Sequence, residues 1–223
     1  MMRMLEVGVG TGYWVKFWED LGWTVDGCDL VPEAVDKLRR TYPDARFWVA
    51  DVSSESGVLT SFDGFAPTTY DLVTVTSVLL HVTADDAFDR ALANVASAVR
   101  PGGRLLLIEP ALTTTKKQAP FDAKRHSRAR ILSSYVEPLK RLGLELATVQ
   151  ATTVLAANPL EGTSPRRRDL YRRWWELVAA TRSRPWLAWI VGPGMYLGDA
   201  VLTRTREMPT SKILLFRRPA GNG

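Results

Sequence analysis

Cysteine is nearly missing from this chain: Cys28 is the only one in 223 residues. No intrachain disulfide can form, and cysteine usage calls for no oxidising compartment. Histidine is scarce too, with only His81 and His126, and no metal site is expected. A secretory leader is not expected, because the first apolar stretch meets Glu6 and glycines within a few residues. The expected location is cytoplasmic. Long hydrophobic runs are absent. The stretch 186–202 is apolar but short for a bilayer span, and Gly192-Pro193-Gly194 breaks it. Charge of one sign does not dominate either. The net charge is +5, and most of the excess sits in 159–210, with nine Arg and no Lys against five acids. A uniformly basic nucleic-acid binder does not look like this, although a local contact surface does.

What remains is an ordinary globular composition, 46% hydrophobic and 24% charged, in a length that fits one domain over 1–223. Apolar runs at 2–7, 24–28, 45–49, 71–76 and 104–108 read as strands. Amphipathic stretches at 12–21, 32–42 and 84–99 read as helices between them, and Arg100-Pro101-Gly102-Gly103 reads as a turn. The stretch from Asp51 to Thr69 is polar and holds at most a short helix. A helix ending near Arg141, a sixth strand at 144–155 and a seventh at 212–217 complete the pattern. This alternation predicts an α/β fold with a doubly wound, mostly parallel sheet. Ligands in such sheets sit at the carboxyl ends of the strands, where Gly8, Asp29, Asp51 and Ser77 all fall.

The chain is organised around Leu5-Glu6-Val7-Gly8-Val9-Gly10-Thr11-Gly12. A strand ends in an acid, three glycines alternate with single residues, and a helix begins. Glycine allows φ > 0 and lets a ligand approach the backbone. The helix start offers free N–H groups. Dinucleotide loops favour G-x-G-x-x-G, but the place of that third glycine is Tyr13 here. The stretch 6–12 resembles motif I of the class I S-adenosylmethionine-dependent methyltransferases. The order of the later motifs strengthens the resemblance over 2–155, with the last strand at 212–217.

That resemblance implies a Rossmann-like sheet of seven strands, the last antiparallel, and S-adenosylmethionine as cofactor. It implies that Glu6 helps orient the methionine amino group and that Gly8, Gly10 and Gly12 form the cofactor loop. Asp29, followed by Leu30, stands 21 positions after Gly8, where a carboxylate can accept from ribose hydroxyls. Asp51 resembles the acid that accepts from the adenine amine, with the Val52 N–H toward a ring nitrogen. Ser77 resembles the position whose carbonyl meets the methionine amino group. Plainer readings stand beside these: a cap or loop acid for Asp29, a turn aspartate for Asp51, a solvent-facing strand end for Glu6. Amino-methylating nucleic-acid enzymes carry an Asp/Asn-Pro-Pro-aromatic motif after the fourth strand. This chain does not, since Asn158-Pro159-Leu160 follows the sixth. Nucleic acid is therefore not an expected partner.

His81 lies four residues past Ser77, and an imidazole there can take a proton from an acceptor hydroxyl. It can equally cap the next helix or pack under the cofactor. His126 and Arg128 belong to a basic cluster that reads as an anion contact, as the source of the base, or as a solvated face. The segment 159–210 reads as a helical, aromatic and basic insert, with Leu170, Trp174, Leu177 and Val178 on one side of its first helix. Related enzymes usually carry helices before the first strand that cover the cofactor. Here that strand starts at residue 2, so either the N-terminus is short or another segment supplies that cover; the insert is expected to close the cleft, with Trp174 or Trp175 at the acceptor and Tyr13 nearby. An ordinary sheet cover and a peripheral membrane contact are the other readings.

The expected function is methyl transfer to a small molecule, most simply at an oxygen of a sugar, lipid-like or secondary-metabolite acceptor. An NAD(P)-dependent oxidoreductase is the rival enzyme. It lacks support, because Tyr13, Tyr135 and Tyr171 are followed four residues later by Phe17, Leu139 and Trp175, not by the Lys of a Tyr-x-x-x-Lys pair. A non-catalytic cofactor-binding module is the remaining alternative.

Overall fold

The computed structural model describes residues 2–55, 57, 69–114, 122–181, 184–204 and 208–221. The short helix allowed between Asp51 and Thr69 therefore falls mostly outside the described residues. The strands are β1 (Arg3–Val7), β2 (Thr24–Asp29), β3 (Phe47–Val49), β4 (Tyr70–Thr76), β5 (Val99–Glu109), β6 (Glu145–Ala151) and β7 (Lys212–Arg217). The helices are α1 (Tyr13–Asp20), α2 (Pro32–Thr41), α3 (Asp85–Ser97), α4 (Ser133–Arg141), α5 (Pro165–Ala180) and α6 (Pro185–Leu202). The sheet runs in the order β3-β2-β1-β4-β5-β7-β6, and the order reverses beside β1. Strands β1 to β5 pair in parallel, whereas β7 is antiparallel to both β5 and β6.

A strand's side chains alternate between faces, and β1 shows the consequence. Leu5 and Val7 join one core with Val73, Val75, Leu105 and Leu107, closed by Phe88, Leu92 and Val95 of α3 and by Tyr135 and Leu139 of α4. Met4 joins the other, with Val25 and Leu72, under Val15 of α1 and Val35 and Leu38 of α2. Both faces are covered, as a parallel sheet requires. Truncating Leu92, which is fully buried, to alanine costs about 2–5 kcal/mol. The helix starts follow local chemistry. Pro32 fits the first turn of α2, Asp85 and Asp86 lie at the positive end of α3, and the Ser164 hydroxyl accepts from Arg167 N–H at the start of α5.

The expected turn at 100–103 lies inside β5. Gly102 N–H donates to the Arg218 carbonyl, and a Cβ on Gly103 would stand 2.9 Å from the Arg100 and Tyr70 carbonyls. Close backbone approach on both sides draws the turn into the strand.

The insert forms two helices, but α6 runs unbroken through Gly192-Pro193-Gly194, where a break is expected, and Leu170 and Leu177 of α5 are 66% and 67% exposed. Both helices are fastened at one place. Trp174 Nε1 of α5 donates to the Leu155 carbonyl at 2.9 Å, and Asp199 of α6 accepts from Val154 and Leu155 N–H, each at 2.8 Å. Nearby, the buried Glu161 carboxylate accepts from the N–H and hydroxyl groups of Thr113 and Thr114 and from the buried Lys212 ammonium.

Candidate active site

The chain turns immediately after β1. Gly8 sits at φ +82° and Gly10 at φ +49°, both in the region that favours glycine. A Cβ on Gly8 would lie 2.2 Å from Cγ2 of Val78, so the loop's approach to the segment after β4 demands glycine. Gly10 has nothing within 4 Å of the Cβ position, which leaves open space over the loop. Gly8 N–H donates to the Cys28 carbonyl at 2.8 Å, and Gly10 N–H donates to Oδ2 of Asp29 at 2.8 Å. The other Asp29 oxygen accepts from Val31 N–H at 3.0 Å. Asp29 thus braces the loop itself, and each carboxylate oxygen keeps a lone pair for a ligand. Gly12 precedes α1 as its N-cap, at φ +82°.

A cleft of about 620 Å³ opens at the carboxyl ends of β1 to β4. That volume suits a small-molecule or cofactor ligand. It gathers Gly8, Asp29, Leu30, Asp51, Val52, Ser77 and His81 from four separate stretches of the chain. Glu6, Gly10 and Gly12 adjoin this wall in sequence without lining it. Tyr13, His126, Arg128, Trp174 and Trp175 do not line it, and neither does any described residue of 159–210. The insert's helices are fastened to the segment after β6, and their tryptophans are not brought to this cleft.

Glu6 is not the solvent-facing acid of the plainer reading. It is 2% exposed, and its Oε2 is buried without a hydrogen-bond partner. Burial, and then the charge of Asp29, push its carboxyl up to about 8. An unpaired buried carboxyl is costly and invites a cation. Cys28, on the cleft wall, is also buried, and its thiol is pushed up to about 12, which leaves it a packing residue rather than a nucleophile.

Asp51 forms a turn with one oxygen, which accepts from Ser53 N–H and its hydroxyl at 2.8 and 2.7 Å. Its other oxygen carries no hydrogen bond among the described residues. Helix α3 holds this loop in place. Asn94 Nδ2 donates to the Val52 and Ser54 carbonyls at 2.8 Å each, and Arg90 Nε donates to the Ser53 carbonyl at 3.1 Å. The sequence gives little signal for this pair, because α3 carries other polar residues on its outer face.

Ser77 adopts φ +56°, a strained conformation for a residue with a side chain. Its N–H donates to the Ile108 carbonyl, and Glu109 governs the residues after it. That carboxylate, fully buried at the end of β5, accepts from Val78 and Leu79 N–H at 2.8 Å and from Leu80 N–H at 3.2 Å. It caps the short 3-10 turn Leu79–His81. Burial pushes Glu109 up to about 7 against the opposing pull of those donors and of Arg130. Glu109 is hard to single out from sequence because it closes an apolar strand and reads as an ordinary end.

His81 Nδ1 lies 2.9 Å from the His126 carbonyl oxygen. A carbonyl only accepts, so Nδ1 carries the proton and the neutral ring keeps its lone pair on Nε2. His126 contributes this carbonyl from a strained backbone at φ +47°. Arg128 N–H donates to the Leu80 carbonyl at 2.8 Å and fixes the same segment. The basic cluster around it divides. Lys124 and Arg125 are exposed. Arg128 and Arg130 turn to Asp85 and the Thr83 carbonyl, and Arg130 lies 3.9 Å over the Phe88 ring. Those two arginines are engaged in packing through these contacts.

Comparison with known proteins agrees with this geometry. Residues 4–103 match the family described as a methyltransferase domain. A hybrid PKS-NRPS synthetase, lepA, of Aspergillus flavus is 32% identical over 116 residues, which are 48% of this chain and 3% of that protein. The chain therefore spans a small fraction of that curated relative. The fold is similar to a TehB-like SAM-dependent methyltransferase from Corynebacterium glutamicum, at 26% identity and TM-score 0.50, over 66% of this chain and 68% of that one. It is similar also to the O-methyltransferase of the trans-AT PKS multienzyme of Brevibacillus brevis in complex with S-adenosyl-L-homocysteine. There the identity is 15% and the TM-score 0.58, over 98% of this chain and 67% of that one.

Proposed function

We propose that this chain, a class I S-adenosylmethionine-dependent methyltransferase, methylates an oxygen nucleophile on a small molecule. S-adenosylmethionine is its cofactor and supplies an electrophilic methyl on a sulfonium. The residues present fit that group. Glu6 has a buried, unpartnered oxygen suited to the methionine ammonium. Asp29 would hold the ribose while bracing the loop, and Asp51 and Val52 would hold the adenine, with Asp51 keeping one oxygen unengaged by the described residues. The space over Gly10 admits the ligand at the backbone.

The observation that carries the oxygen acceptor is His81. Its Nδ1–H is committed to the His126 carbonyl, so Nε2 stands as base in a residue of the cleft wall. It would take the hydroxyl proton as the acceptor oxygen attacks, and Glu109 would keep the turn beneath it rigid. The similarity to the A. flavus synthetase and to the B. brevis multienzyme O-methyltransferase supports a polyketide-like hydroxyl acceptor. Calorimetric titrations with S-adenosylhomocysteine and with NADH test the cofactor, and binding of NADH alone would sink the reading. Labelled-methyl transfer to a panel of phenols, enols and hydroxy acids tests the acceptor. Transfer to amines but to no hydroxyl compound would overturn the oxygen assignment.

A further inference from the structure

Helix α6 turns an apolar face to solvent. Trp186, Ile190, Leu197 and Val201 recur at helical steps along it, and Trp189 and Tyr196 widen the stripe. All six are more than 60% exposed, and Trp189 reaches 85%. No charged residue occurs from Pro185 to Gly198. The one acid in the helix, Asp199, is buried and spent on Val154 and Leu155. An apolar patch of this size on a surface marks an interaction site.

Its surroundings are basic. Arg184 stands before the helix and Arg204 after it, both exposed. Helix α5, fastened to the same Leu155, exposes Arg166, Arg168, Arg172 and Arg173. Residues 165–204 hold eight arginines and no lysine against three acids. Among the described residues no helix is long and apolar enough to cross a membrane.

We infer that α6 lies on the surface of an anionic phospholipid bilayer, held by the arginines at its ends and on α5. Tryptophan and tyrosine favour the headgroup boundary, where an apolar ring and a polar tip are both satisfied. Guanidinium groups pair with phosphate in two-pronged fashion. The helix, about 27 Å long, would lie in the plane of the interface. A second copy of the chain fits less well, because a twofold contact brings the same arginine-rich rim onto itself.

Co-sedimentation of the full chain with phosphatidylcholine vesicles, with and without phosphatidylglycerol, tests this. The chain should partition onto the anionic vesicles, with a blue shift of tryptophan emission, and salt should weaken the binding. Arg184→Gln and Arg204→Gln should each reduce partitioning about fivefold. Trp189→Ser with Ile190→Ser should reduce it at least tenfold at an unchanged melting temperature. The arginine variants leave the buried core untouched, so they decide the matter even where the serine variant fails to fold. Equal partitioning onto neutral and anionic vesicles, or none onto either, overturns the inference. So does a dimer mass by light scattering that Trp189→Ser abolishes, which assigns the face to a second copy.

Discussion

Replacing Glu6 by Gln removes one buried charge site and should change two measurable quantities. In the folded protein without ligand the carboxyl is raised to about 8, from an ordinary 4.5, by burial first and by Asp29 second. The native state therefore keeps a proton that the unfolded chain releases near its ordinary value. Between those two pH values the unfolded state binds fewer protons, so stability falls as pH rises through the window. At about 1.36 kcal/mol per pH unit the ceiling is ~5 kcal/mol. Glu109, raised to about 7, adds a slope of the same sign. The difference between wild type and Glu6→Gln isolates the Glu6 part, and the variant should lose stability less steeply from pH 5 to 8 in urea titrations. The second quantity is proton release. At pH 7 about 0.9 of a proton resides on the free Glu6, and the ammonium of S-adenosylhomocysteine should expel most of it. Calorimetry in phosphate and in Tris, whose ionisation enthalpies differ, counts that proton. Glu6→Gln should release none and bind more weakly. Identical heats in the two buffers for the wild-type protein would refute the placement of Glu6 against the ammonium.

The same geometry sets other outcomes. Asp51→Ala should weaken S-adenosylhomocysteine by about 1.5–3 kcal/mol, as loss of a charged acceptor does; unchanged affinity by calorimetry places Asp51 outside the site. His81→Ala should slow transfer to hydroxyl acceptors roughly 10²–10⁴-fold with cofactor affinity retained, and normal turnover would remove the base from this residue. Glu109→Gln should cost about 1.5–3 kcal/mol in urea titrations, because the amide presents a donor where a backbone N–H also donates. It should also move the His81 ring signals in NMR spectra, and unmoved signals would make Glu109 a purely structural group.

The sheet was largely legible because most of its strands hold a short apolar run between breakers, and β7 falls on its expected residues, 212–217. The strand-end positions were legible for the same reason: Gly8, Asp29, Asp51 and Ser77 each come directly after such a run. The support beneath them was not. The partner of His81 is a backbone carbonyl, and a carbonyl has no letter in the sequence. Glu109 sits 31 residues from Val78, and only the pairing of β4 with β5 brings them together. Leu170 and Leu177 show another limit. Helical spacing identifies a stripe, but it does not say whether the stripe meets the protein or something outside it. No described residue of the insert lines the cleft, since apolar composition gave the insert a need for cover without fixing where its anchor, Leu155, would hold it.

Strand β7 lies between β5 and β6 although it comes after both in the chain. Until residues 212–217 have been synthesised and seated, β6 has no neighbour to bond with, and the edge of β5 stays open. The insert lengthens that wait by roughly fifty residues of nascent chain, and distant closure of this kind slows folding. While the insert is being made, the half-sheet β3-β2-β1-β4-β5 has all its strands and the β7-β6 pair does not. A chaperone or a neighbouring nascent chain meets an unpaired β5 edge at that moment. Lys212, the first residue of β7, carries the charge that pairs with the buried Glu161, so seating that strand also forms the buried ion pair.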